Sequence, residues 1–146
     1  MSARERDRGA RAERAVVNYL RANGWPDARR YLAGDGRQPG DVDFHPLVCL
    51  EVKDRAESRW PTWCRQAASE AREGMVPVVV RRTRGVPDAG QWECRVQWAA
   101  WRGLAGRPPL RLDGMKAVAD GDVWAVTTLA EFVSALRRFD VIDGAA

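Results

Sequence analysis

The sequence predicts an α/β protein, a mixed β-sheet flanked by helices, and three observations carry that expectation. Apolar residues recur at three- and four-residue steps near the start, where Ala12, Val16, Val17 and Leu20 share a face, and again near the end, at Leu129, Phe132, Val133 and Leu136. Between them lie runs of two-residue alternation, Val48 to Lys53 and Trp92 to Trp98. The stretch Met75 to Arg82 holds Val76, Val78, Val79 and Val80, the near-continuous apolar run of a buried central strand. At 146 residues and 45% hydrophobic, the chain can fill one core, so residues 1–146 are expected to form a single domain.

Taken in order, the first element is a helix from Arg4 to Asn23, stopped by Gly24 where a C-terminal cap belongs. Glu13 falls three, four and seven residues before Val16, Val17 and Leu20. It is therefore either solvated at the edge of the apolar stripe or held there by a partner. A short strand follows from Ala28 to Leu32. The run Ala33 to Gly40, with three glycines and a proline, reads as a mobile loop. Asp41 to Phe44 begins a second strand, and His45-Pro46 turns the chain. In the third strand Val48, Leu50 and Val52 face one way, and Cys49, Glu51 and Lys53 the other. Pro61 to Gly74 is a second helix, with proline in its first turn. The valine strand and the Trp92–Trp98 strand come next. Trp101 to Gly121, rich in Gly, Pro and Arg, reads as an insertion loop. Asp122 to Val126 makes the last strand, and Thr128 with Glu131 forms a capping box for the closing helix.

Composition narrows the function. No run of about 18 apolar residues occurs, which predicts no membrane span. The charged opening MSARERDRGARAER has no apolar signal core and points to the cytoplasm of the cell that makes it. Cys49, Cys64 and Cys94 stand far apart beside a single histidine, His45, a set that suits neither a disulfide framework nor a structural zinc site. The net charge of +4 is compatible with a polyanionic partner. Of 24 basic residues 22 are Arg, so Lys53 and Lys116 are the only amines on side chains.

The chemistry-bearing feature is Asp41 followed ten residues later by Glu51-Val52-Lys53. Two meandering strands can bring the carboxylates of Asp41 and Glu51 together, and strand alternation puts Lys53 on the face of Glu51. Two adjacent carboxylates repel unless a cation lies between them, and oxygen ligands suit Mg²⁺ or Mn²⁺. A lysine beside such an ion can orient a water or stabilise charge on a phosphoryl oxygen. Asp43 shares the face of Asp41 and competes with it as ligand. Arg29, Arg30 and Arg37 flank the glycine loop as candidate phosphate contacts in DNA binding. The tryptophans read mostly as core, with Trp60 and Trp63 as candidates for stacking on an unpaired base. His45 reads as a turn residue and Cys49 as a small buried thiol.

The residues Glu13, Gly24 to Arg30, Pro39-Gly40-Asp41, Glu51-Val52-Lys53, Trp63-x-x-Gln66-Ala67 and Pro77 to Arg82 resemble, in order, the pattern of PD-(D/E)xK nucleases. The similarity is greatest to Holliday junction resolvases of the archaeal and phage type, including actinobacterial and actinophage relatives, and covers residues 8 to 98. The resemblance implies a restriction-endonuclease-like sheet flanked by helices and Mg²⁺-dependent cleavage of branched DNA by a homodimer. By position it makes Asp41 and Glu51 metal ligands, Lys53 the catalytic lysine, Glu13 the helix-borne acid that joins them, and Gln66 their neighbour on the second helix. Two departures stand out: the proline is displaced by one residue from Asp41, and residues 101–121 have no counterpart. A restriction or repair nuclease with the same site, or a non-catalytic DNA-binding protein on a nuclease-like scaffold, are the other readings. For a dimer, the apolar surplus of Trp98, Trp101 and the central valines is the expected interface material.

Overall fold

The computed structural model describes residues 1–32, 37–105, 110–118 and 122–142. Among these residues four helices flank a five-stranded mixed sheet, so the α/β expectation holds. The elements are α1 (Ala3–Ala22), β1 (Arg29–Arg30), β2 (Val42–Asp43), β3 (Val48–Lys53), α2 (Trp60–Glu70), β4 (Val76–Arg81), a 3₁₀ turn (Ala89–Gln91), β5 (Glu93–Gln97), α3 (Trp98–Ala105), β6 (Gly114–Ala117), β7 (Val123–Thr128) and α4 (Leu129–Ile142).

The sheet order is β3-β4-β5-β7-β6. β3 and β4 run parallel, which requires a crossover, and α2 provides it. The remaining pairs are antiparallel, hence the mixed sheet. Strand alternation then sorts the layers. Val48, Leu50 and Val52 of β3, with Val76, Val78 and Val80 of β4, are buried in the core that also holds the apolar stripes of α1 and α4. The opposite side buries Val79 and Trp124 against Trp60, Trp63, Cys64 and Ala67 of α2. α1 and α4 thus cover the sheet with the stripes their sequence spacing foretold.

The ends of α1 and α4 are fixed by side chains. Ser2 and Glu5 form a reciprocal capping box at the start of α1, and Thr128 Oγ1 accepts from the Glu131 amide at the start of α4. His45 is buried rather than a plain turn residue. Its Nδ1 accepts from the Leu47 amide, so its proton sits on Nε2 and goes to Asp140 on α4 at 2.9 Å.

The window 101–121 departs from the expected insertion loop. Trp98 ends the β5 alternation by starting α3, whose Trp98, Trp101 and Leu104 follow helical spacing. Trp101 is fully buried, edge-on to Phe132 of α4 at 5.7 Å between ring centroids. β6 then adds the edge strand against β7. Gly, Pro and Arg dominate the composition of this window, yet three apolar residues three apart decide its first turns. Residues 106–109 and 119–121 of the window, and 33–36 of the glycine loop, lie outside the described residues.

Candidate active site

Asp41 owes its position to the residue before it. Gly40 makes a parallel bridge with Leu50, at the outer edge of β3, with φ of +86°. A Cβ at Gly40 would meet the Leu50 carbonyl oxygen at 2.5 Å, so only glycine allows this approach. The bridge then continues through Asp41. Its amide donates to the Leu50 carbonyl at 2.8 Å, and its Oδ2 accepts from the Val52 amide at 2.8 Å. The side chain thus takes a ladder hydrogen bond that a neighbouring strand would otherwise supply, and the carboxyl is pinned against β3 between Glu51 and Lys53.

β3 alternation turns Glu51 and Lys53 toward α2. Glu51 is 1% exposed, and Lys53 Nζ lies 3.6 Å from its Oε2. Its other oxygen, Oε1, is buried without a hydrogen-bond donor. From α2, Gln66 Oε1 accepts from Lys53 Nζ at 2.8 Å, while Gln66 Nε2 donates to Glu70 Oε1 at 3.2 Å. Glu13 enters from α1, half-buried, its Oε1 accepting from Arg30 Nε at 2.8 Å. Of its two possible environments, the paired one is realised.

The electrostatics follow from burial. Glu51 is pushed well above the usual carboxylate range, by burial first, then by the facing Glu70 carboxyl and the Asp41 charge, with Lys53 opposing. Burial also raises Asp41, against the Val52 hydrogen bond and Lys53. Glu13 is raised by burial and by Asp41, and Arg30 works against both. Carboxylates accept only, so a direct link among those of Asp41, Glu51 and Glu70 takes a shared proton or a cation between them.

Among the described residues no three His, Cys, Asp or Glu side chains are arranged to hold an ion by themselves. Two carboxylates are nevertheless a sufficient protein contribution for Mg²⁺, which keeps several waters and takes further ligands from substrate phosphates. The donor set is all oxygen, and the unpartnered Glu51 Oε1 is an acceptor with an open valence for such an ion.

Asp41, Lys53, Glu13 and Gln66 line an open groove of about 950 Å³ between the first turns of α1 and the β3–α2 connection. Arg6, Arg8, Arg55 and Arg59 line it too. The alternative ligand Asp43 points elsewhere, into an exposed ion pair with Arg29 at 3.1 Å, beside a separate pocket. Arg37 is exposed, and its carbonyl accepts from Arg72 at 3.4 Å. Of the three arginines expected to hold phosphates, Arg30 is therefore the one beside the acids, as partner of Glu13. Trp60 and Trp63 pack on each other at 5.3 Å, with the Arg95 guanidinium 4.1 Å above Trp60. Both are buried, and they serve the α2–sheet contact instead of standing free for a base.

Sequence reasoning missed Glu70 and the four groove arginines. Glu70 had a signal, since it lies four residues after Gln66 and so on the same helical face. Arg55 and Arg59 had a weaker one, following Lys53 directly in a connection with no apolar pattern.

Comparison of the chain with protein-family models, with curated proteins and with solved structures gives no match. What fold and site define is a class: an α/β protein with a buried glutamate behind an aspartate and a lysine on the wall of an arginine-lined groove.

Proposed function

We propose that this protein is a metal-dependent endodeoxyribonuclease that hydrolyses phosphodiester bonds in branched DNA, as its resemblance to PD-(D/E)xK junction resolvases implies. One observation carries the reading. Asp41 and Lys53 meet Glu13 on the wall of one groove, while Glu51, ten residues after Asp41, lies buried behind that wall beside Lys53 with one oxygen left without a donor. A structural ion pair would satisfy its acceptors. This cluster instead gathers negative charge where it is costly, as a cation site does.

Asp41 and Glu51 are the residues to hold Mg²⁺ or Mn²⁺, with Glu13 on the α1 side of the cluster. When bound, the ion supplies Lewis-acid polarisation of the phosphate and a more acidic water. Lys53, its Nζ steered by Gln66, orients a water or donates to a phosphoryl oxygen that gains charge. Arg6, Arg8, Arg55 and Arg59 offer guanidinium groups to backbone phosphates along the groove. Arg30 neutralises Glu13 and so lets a polyanion approach the acidic cluster.

The test is incubation of the protein with labelled four-way junction, flap and linear duplex, with and without Mg²⁺. Cleavage of the junction in preference to duplex, dependent on Mg²⁺, is the expected result. Equal cutting of all three would give the restriction or repair reading. No cutting with any divalent ion, together with retained binding, would give the non-catalytic one.

A further inference from the structure

We propose that Glu70 is a positioning residue for Lys53, acting through the Gln66 amide. The inference rests on the nuclease reading only for its catalytic consequence; its geometry stands without it. Gln66 has two ends of almost equal shape, a carbonyl oxygen and an NH₂ group, and which end faces Lys53 decides what the lysine meets. With the carbonyl toward Lys53, Nζ has an acceptor at 2.8 Å. With the amide flipped, NH₂ would confront an ammonium, and Nζ would be left with Glu51 Oε2 at 3.6 Å.

Glu70 removes that ambiguity from the other side. It follows Gln66 by one helical turn and places Oε1 3.2 Å from Gln66 Nε2. A carboxylate accepts and never donates, so a flipped Gln66 would set oxygen against oxygen there. Lysine at one end and carboxylate at the other thus allow a single orientation. Its carboxyl also faces buried Glu51, a placement that is unfavourable once both groups are ionised. A fold that needed only helix at position 70 would be better served by alanine.

What the relay fixes is the choice open to Lys53. Its Nζ has Glu51 Oε2 at 3.6 Å and Gln66 Oε1 at 2.8 Å. Without a correctly turned Gln66, Nζ is drawn wholly onto Glu51, against the face of the sheet and away from the groove. Glu70 therefore keeps the amine displaced toward the substrate side.

The sequence makes the test direct, because Lys53 and Lys116 are the only lysines. In protein labelled with ¹⁵N-lysine, two Nζ signals are expected, and Lys53→Arg identifies one of them. In Glu70→Ala the Lys53 signal should shift and broaden, as it should in Gln66→Ala. The double variant should add nothing to either. In Glu70→Gln, whose carbonyl can still accept from Gln66 Nε2, the wild-type signal should be largely retained. In cleavage assays Glu70→Ala should lower kcat about tenfold with KM unchanged, and Glu70→Gln should recover most of it. A Lys53 signal in Glu70→Ala identical to wild type overturns the proposal. Cleavage absent from every form, with the spectra as expected, overturns the nuclease reading and leaves the positioning role standing. Glu70→Ala removes a carboxyl facing Glu51, so it is expected to fold. If it does not, a Glu70→Gln spectrum matching that of Gln66→Ala overturns the proposal by itself.

Discussion

Glu51 and Asp41 carry opposite demands, since the fold buries them and the proposed chemistry needs them charged. Both have raised pKa values, chiefly through burial, so the folded state holds protons that the unfolded chain has already released. Where the folded state binds more protons, stability falls as pH rises. The window opens near the ordinary carboxylate value, and the loss is complete once pH passes the raised folded one. Metal-free protein should therefore melt at a lower temperature at pH 8 than at pH 6, a trend that Mg²⁺ should reduce by replacing the proton. Glu51→Gln should raise Tm at pH 8 by several degrees, flatten the pH dependence and abolish cleavage. DNA binding should stay intact or tighten, because a negative charge beside the phosphates is gone. Thermal melts at the two pH values, with a gel-shift on the same variant, check all of this. A Glu51→Gln protein that cleaves at the wild-type rate removes Glu51 from the site.

At the scale of elements, the site depends on how an irregular segment meets a regular one. β3 was readable because its alternation is strict and its length matches a strand, so Glu51 and Lys53 could be assigned to one face before any coordinates. Gln66 was legible only through the family pattern. Glu70 was overlooked although it follows Gln66 by one helical turn, because its other neighbour, Glu51, lies on a different element and no one-dimensional spacing joins those two. Window composition hid α3 behind glycine and proline. Arg30 looked like a loose basic residue because Glu13, seventeen positions earlier, is adjacent only in space. Gly40 is the joint that turns spacing into geometry, and it yields a prediction. Gly40→Ala combines a left-handed backbone, worth about 1–2 kcal/mol against any L-residue, with overlap of Cβ on the Leu50 carbonyl. The segment should separate from β3 and carry Asp41 with it. Tm should drop by several degrees and cleavage should fall at least as far as in Asp41→Asn. A Gly40→Ala variant with wild-type activity would show that Asp41 does not need its bridge to β3.

At the scale of the whole molecule, the symmetry of the proposed substrate sets the requirement. Resolving a four-way junction takes two cuts placed symmetrically about the branch, and a two-fold dimer presents one site to each. Of the expected interface material, Trp101 and the central valines are sealed in the core, while Trp98 is only partly buried. Of the apolar side chains left outside, which also include Leu32 and Val141, three gather at one end of the sheet order. Leu112, Met115 and Val123 are partly exposed on and beside the β6–β7 hairpin, and β6 pairs only with β7 among the described residues. An edge strand bearing exposed apolar residues is a template for pairing with another copy. We therefore expect a dimer in light scattering, with β6 at its seam and paired nicks on opposed junction arms. Junction affinity should fall steeply with salt, as the groove arginines displace counterions from phosphates. Met115→Lys places a charge on that edge and should give a monomer. It should still nick junctions through an intact site, but leave the two cuts uncoupled, seen as nicked circle accumulating before linear product on a cruciform plasmid. A wild-type protein that is monomeric at the concentrations of the cleavage assay, and remains so on the junction, would rule out paired resolution and favour a nuclease that cuts one strand at a time.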